Sequence, residues 1–363
     1  MKKINLFLPI IIFAASASAQ APNSTKEVPA TMVQFLDEIE SLQPFMMSEK
    51  RFSAPENRFN IQTRLNHLAE ISAKLKHEQR LVNPFFQVMT DILPMHMEEL
   101  KDSFKEGSTE YARTMLNATL DGCSACHSQV KSKNAHLWQF SPDTIKGNTF
   151  EKAEFLFAVR QYDEAYPRYQ KVVQEFKPTS IEPISQEVQE AIFKKLSILI
   201  RSKRDLDEAR KEIERDIGKP ELPGQIKALL QANLASVRVL QKIAVPNLKT
   251  AKSKDMETFA AQTLVQATNA GRKGDKNNVP QLFVSGILYE YVQLHPVAEI
   301  GPGIYYWLAK CEKKISKSYF FPVAEFYLKE CIERFPLSME AKLCFNELEW
   351  SLPENVARIG VKK

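Results

Sequence analysis

The chain is poor in the residues that punctuate or cross-link other folds. Of its 363 residues only 11 are glycine and 5 are cysteine. Scarce glycine, and the want of short alternating apolar runs, argue against a turn-rich β fold. Five cysteines are too few for a disulfide scaffold, and a chain of this length buries a core without one. Neither charge dominates: 49 basic against 44 acidic residues leave +5, too mild and too dispersed to indicate nucleic-acid binding. With 44% hydrophobic and 26% charged residues the composition is not that of a disordered chain. Beyond the first residues no stretch is apolar enough to cross a bilayer. What is abundant is Leu, Ala, Glu, Lys and Gln, strong helix formers for the most part. An all-α protein of about two domains is therefore expected.

Residues 1–19 read as a secretory signal peptide. Lys2 and Lys3 form a basic start, Ile4 to Ala15 an apolar run interrupted by Pro9, and Ala17-Ser18-Ala19 a small-residue cleavage site before Gln20. The run is shorter than the roughly 20 residues a membrane span needs, and no Cys follows it to take a lipid. The mature chain is expected to be periplasmic, with no transmembrane segment.

Residues 28–136 show four amphipathic helical stretches with short connections. The first covers about Ala30–Glu49, with Met32, Val33, Phe35, Leu36, Ile39 and Leu42 at helical spacing. The second covers about Glu56–His77. The third opens at Asn83-Pro84, a cap residue before a proline at the first helical position, and runs to about Lys105, with a kink expected at Pro94. The fourth covers about Thr109–Lys133. Four such helices predict an up-down-up-down bundle. A polar linker, 141–149, follows.

Residues 149–350 change to paired, shorter helices. Ala324, Leu328, Cys331 and Pro336 repeat a spacing that Ala165, Tyr169 and Val172 share, with Pro178 one residue late. Both runs resemble the second helix of a tetratricopeptide repeat, in which a small residue lets two helices approach closely. Leu206 to Ala209 is a degenerate third instance. An irregular, TPR-like helical-repeat array is expected, beside the plainer reading of unrelated amphipathic helices that share small residues.

The chemistry sits at residues 123–127, Cys-Ser-Ala-Cys-His. This C-x-x-C-H spacing is that of a c-type haem attachment site. Two thiols at i and i+3 share a helix face and can add across the two vinyl groups of one porphyrin. The adjacent imidazole is then placed to bind the iron. Cys123 and Cys126 are thus the expected thioether residues and His127 the proximal ligand of one covalent haem c. A thioredoxin-like dithiol wants a strand before it and a helix N-terminus at the thiols; here a dozen or more helical residues precede the motif. A zinc site wants further ligands, and only His136 is near. A plain disulfide with a chance histidine is the remaining alternative.

A haem motif late in the last helix of a four-helix bundle resembles the class II c-type cytochromes, the cytochrome c′ and cytochrome c556 group. The residues that carry the likeness are Tyr111–Leu120, Gly122 and the run Cys-Ser-Ala-Cys-His-Ser-Gln-Val-Lys from Cys123 to Lys131. It covers about a third of the chain. Family members carry an aromatic residue and an arginine shortly after the histidine; Val130 and Lys131 stand there instead. Lys131 is a candidate partner for a haem propionate beside the reading of a solvated lysine.

The start of the first helix of such a bundle lies beside the end of the fourth, which makes Met32 the candidate sixth ligand, as the resemblance to cytochrome c556 implies. Met/His ligation implies one-electron transfer and no enzyme activity. An apolar residue in that place implies open iron that binds small gases. Met46 and Met47 lie about four turns away. Met89, Met95, Met97 and His96 are bundle core or surface, His67 and His77 surface or core edge, and Phe35 and Phe59 candidate pocket walls. The array is expected to dock a redox partner protein or an envelope complex, or to serve as a structural adaptor. Relatives of this kind often form homodimers. Cys311, Cys331 and Cys344 lie on apolar helical faces, with no pairing readable from sequence.

Overall fold

The computed structural model describes residues 30–75, 84–127, 143–178, 186–271, 277–315 and 323–359. The signal-peptide segment and residues His77, Val130, Lys131 and His136 lie outside them. So do the side chains of 75, 84–90, 121, 123–127 and 350–359. Among the described residues there are fifteen α-helices and no strand. None of those helices is long and apolar enough to cross a membrane.

The N-terminal helices are α1 (Ala30–Met46), a single turn α2 (Glu49–Phe52), α3 (Arg58–Leu75), α4 (Pro84–Lys105) and α5 (Thr109–His127). The expected first helix divides at Met47, because Ser48 caps a new turn by accepting a hydrogen bond from the Arg51 N–H. A 3-10 turn at Pro55–Asn57 delays the second. The third opens on Pro84 as expected and carries Pro94 inside it. Gly107, in the left-handed region at φ 93°, turns the chain from α4 into α5.

α1 packs on α3, α3 on α4, and α4 on α5, and α1 also meets α5. Their apolar stripes supply one continuous core, with Ile39, Leu42, Ile61, Leu68, Leu100, Ala112 and Leu116 fully enclosed. Phe52 of α2 closes one end, edge-on to Phe104 with ring centroids 5.1 Å apart. Arg58 caps the same end: its Nη2 donates to the Lys105 carbonyl at 2.9 Å, satisfying an acceptor that α4 leaves unpaired.

The remaining helices are α6 (Thr149–Ala158), α7 (Tyr162–Glu175), α8 (Gln186–Leu196), α9 (Leu206–Ile217), α10 (Gly224–Leu240), α11 (Ser253–Ala270), α12 (Val279–Leu294), α13 (Pro302–Ile315), α14 (Val323–Arg334) and α15 (Met339–Ile359). A π-helical stretch, Ser197–Lys203, extends α8. Most neighbours in sequence pack together, and α6 with α8, α10 with α12, α11 with α13 and α13 with α15 also touch. Ala165, Tyr169, Leu328 and Cys331 are buried, and so is Ala209; Ala324, the small residue of the second run, is only partly buried, and Val323 beside it takes the enclosed place. Val173, rather than Val172, takes the third buried place in α7.

α12 is apolar on nearly all sides and is buried along most of its length. It crosses the π-helical stretch at Gly286, where an added Cβ would stand 2.8 Å from the Arg201 carbonyl oxygen. At that crossing Arg201 is buried and pairs with Glu312 of α13 at 2.5 Å. Its guanidinium lies 5.3 Å from the Tyr289 ring centre. The Tyr289 hydroxyl reaches Glu312 at 3.3 Å and the Tyr327 hydroxyl at 2.6 Å. A second buried group joins Lys195 of α8 to Glu212 and Asp216 of α9, at 2.8 and 2.5 Å. Cys331 of α14 is disulfide-bonded to Cys344 of α15, and Cys311 is free and buried.

Candidate functional site

α5 carries the candidate residues on its last turn. Ala112, Met115, Leu116, Thr119 and Leu120 form its buried stripe. Continued in helical steps, that stripe leads to Cys123 and then to Cys126 and His127. The side chains of these three lie outside the described residues; their backbone belongs to α5.

Cross-helix contacts fix which ends meet. Arg113, near the start of α5, donates from Nη1 to the Met46 carbonyl at the end of α1, at 3.4 Å. Tyr111 donates to Glu99 at 2.7 Å; burial first, and then that carboxylate, push the phenol pKa up to about 12. Further along α5, Met115 and Thr119 meet His96, an earlier residue of α4. Arg58, at the start of α3, meets the end of α4. α5 therefore runs antiparallel to α1 and to α4, and α4 antiparallel to α3. The Cys-x-x-Cys-His turn lies at the end of the structure where α1 and α4 begin and α3 finishes.

Met32 lies at that end. It is fourteen residues before Met46 in α1, as His127 is fourteen after Arg113 in α5. At 1.5 Å per residue both are about 21 Å from the shared Arg113–Met46 level. The Met32 side chain is half-buried and packs against the core. Met46 is at the opposite end and buried, so neither it nor Met47 belongs to the site.

The other sequence candidates separate. Phe35 is core, whereas Phe59 begins α3 at the far end and is 84% exposed. Phe59 is not a pocket wall, because the 3-10 turn before it sets α3 so that its side chain faces water. His67 is an exposed partner of Glu38, at 3.1 Å, and Arg64 shares that carboxylate at 3.0 Å. Met95 is 63% exposed, while Met97 and His96 are buried.

His96, expected as bundle core or surface, lies in the core and makes polar contacts that spacing does not foretell. Its Nε2 is 2.9 Å from the Met115 carbonyl and 3.2 Å from Thr119 Oγ1. Burial, against the opposing pulls of the Met115 carbonyl and Glu99, pushes its pKa down to about 4. The ring is neutral at pH 7. Since a carbonyl only accepts, Nε2 carries the hydrogen.

The opposite end holds the root of the second helical region. The Gln43 amide of α1 clasps the main chain of Lys146, donating to its carbonyl at 2.5 Å and accepting from its N–H at 3.0 Å. Asn148 and Glu151 then form a capping box that starts α6. The Arg113 guanidinium, kept charged first by Glu110, also feels Glu151. α6 thus begins beside the start of α5, at the end away from the Cys-x-x-Cys-His turn.

Among the described residues no group of three or more His, Cys, Asp or Glu side chains is arranged to hold a bare metal ion. The chain matches no protein-family model, no curated protein and no solved structure.

Proposed function

We propose that the protein is an exported c-type cytochrome that carries one covalently attached haem and works as a one-electron carrier, not an enzyme. The observation that carries this reading is the Cys-Ser-Ala-Cys-His run on the last turn of α5. The donor set suits the group: two thiols at i and i+3 to hold the porphyrin edge, and an imidazole one residue on for the iron. Once bound, the haem would supply an iron able to take up and give back one electron.

The chain's own residues do the rest. Cys123 and Cys126 would hold the group against loss outside the cytoplasm, and His127 would bind its iron. α1, α3, α4 and α5 act as a four-helix bundle that excludes water, which the antiparallel contacts support. Met32, level with His127, would be the candidate second protein ligand to the iron. The Cys331–Cys344 disulfide favours an oxidising compartment.

α6 to α15 act as a TPR-like array that docks a redox partner protein or an envelope complex. The contacts between next-but-one helices favour this reading, since stacked repeats bury their faces in that way. The array's first helix starts at the far end from His127. The array's root is thus away from the haem end, while α14 returns to pack against α4.

Purified protein from a host that matures c-type cytochromes tests the proposal. One haem per chain by pyridine haemochrome, with the macrocycle's mass retained on denaturation, is the expected result. The pair Cys123→Ser, Cys126→Ser abolishes it. A colourless wild-type protein overturns the reading. A second reading shares the site: Met32 packs half-buried on the core, as an apolar blocker would, and the iron then keeps an open position for a small gas.

A further inference from the structure

His96 is a buried titratable group that electron transfer leaves without a task. It sits on α4, only 4% exposed. Its polar contacts with the Met115 carbonyl and Thr119 Oγ1 fall on one stripe of α5. Met115, Thr119 and Cys123 succeed one another at steps of four. The His96 contacts therefore grip α5 about 6 Å below Cys123 along the helix axis, and about 12 Å below His127. The Thr119 hydroxyl donates to the Met115 carbonyl at 3.1 Å, which leaves its lone pairs facing His96. One N–H thus serves two acceptors, one of them main chain.

We infer that His96 is a positioning residue for the haem: it fixes the rotation and height of α5, and with them the angle at which Cys123, Cys126 and His127 meet the porphyrin. The inference rests on the haem reading above. The physical reason is directionality. Nearer the start of α5, Tyr111 donates to Glu99 of α4; beside these polar contacts the interface is lined by Met97, Leu100, Ala112, Met115 and Leu116. Apolar burial is non-directional, and a small rotation of such a face changes it little. A hydrogen bond to a main-chain carbonyl is lost when the angle falls toward 120° or the distance passes 3.5 Å. His96 is therefore a directional contact on the Cys-x-x-Cys-His side of this interface, and it resists rotation of the haem-bearing stripe. A neutral imidazole does this without burying a charge.

The test uses full-length, haem-loaded protein and two readouts that a general loss of stability does not move in a fixed direction: the ferric electron paramagnetic resonance spectrum and the reduction potential. His96→Leu is expected to keep its covalent haem but to show a split or broadened ferric signal and a shifted potential. His96→Gln places an amide N–H near the position of Nε2 and is expected to restore the single wild-type signal. A His96→Leu holoprotein with the wild-type signal and potential overturns the inference. Should that variant not fold, Thr119→Val decides: it removes one acceptor at nearly constant volume, so a split signal supports the positioning role and an unchanged one overturns it. A wild-type protein without haem refutes the underlying reading instead, before any variant is made.

Discussion

Arg113 and Met46, 67 residues apart in sequence, are joined by a hydrogen bond from the Arg113 guanidinium to the Met46 carbonyl. That contact pairs the start of α5 with the end of α1, and so pairs the end of α5 with the start of α1. In the haem-loaded protein, Met32→Ala is expected to turn a low-spin iron high-spin and to lower its potential by on the order of 0.1 V, within the ~0.8 V range that axial ligands span. Optical spectra and a redox titration check it. A wild-type iron that is already high-spin, with Met32→Ala unchanged, removes Met32 from the ligand set and favours the open site.

The cysteines give a count. With haem attached, Cys123 and Cys126 are consumed, Cys331 and Cys344 are bonded, and Cys311 is free. Denatured, unreduced protein is expected to take one alkyl group by mass spectrometry, and reduced protein three. Five after reduction would mean no thioether bonds. Cys331 and Cys344 stand 13 residues apart with Cα atoms 6.5 Å from each other. Replacing both with Ala is expected to cost about 3 kcal/mol, the loop entropy of a cross-link of that length.

His96 predicts a pH dependence. Its folded pKa, about 4, lies below the ordinary 6.5, so between those values the unfolded chain binds the proton and the folded one does not. Stability contributed by the neutral ring is full above pH 6.5 and is lost as pH falls toward 4. From pH 7 to pH 5 the wild type is expected to lose about 2 kcal/mol through this group, since each pKa unit is worth 1.36 kcal/mol. His96→Gln is expected to lack that part of the slope. Urea titrations at both pH values measure it, and identical slopes in the two proteins would refute it.

Arg201 and Glu312 are both buried and lie 111 residues apart in sequence. Arg201→Met strands a carboxylate in the core, where burial raises the Glu312 pKa. A loss of about 3–5 kcal/mol is expected. The double variant with Glu312→Met is expected to recover most of it. Chemical denaturation of the four proteins in the cycle gives the coupling, and a double variant no better than the single one would show that the pair holds the fold by more than mutual compensation.

At the crossing of α12 and the π-helical stretch, Gly286→Ala puts a methyl group 2.8 Å from the Arg201 carbonyl oxygen. The helices must part, at a cost of about 1–3 kcal/mol. Gly224→Ala, at the start of α10 where nothing lies within 4 Å, is expected to be neutral or to stabilise by up to about 1 kcal/mol. Paired thermal melts separate the two, and equal melting shifts would deny the close crossing.

Local chemistry was readable along the chain. Helix-forming composition and apolar spacing already specify the all-α class, the start of α4 at Pro84 and the buried places of Ala165, Tyr169, Leu328 and Cys331. The Cys-x-x-Cys-His run is a matter of spacing within one turn, so it too is written locally. Other features join residues that no periodicity relates: the Cys331–Cys344 bond, the Gln43 clasp on Lys146, the His96 tether to α5 and the Arg201–Glu312 pair. Sequence spacing can say that a cysteine or a histidine faces inward; it cannot say which inward-facing group stands opposite. That choice belongs to the angles at which whole helices pack, and it made His96 a tether and Phe59 a surface residue.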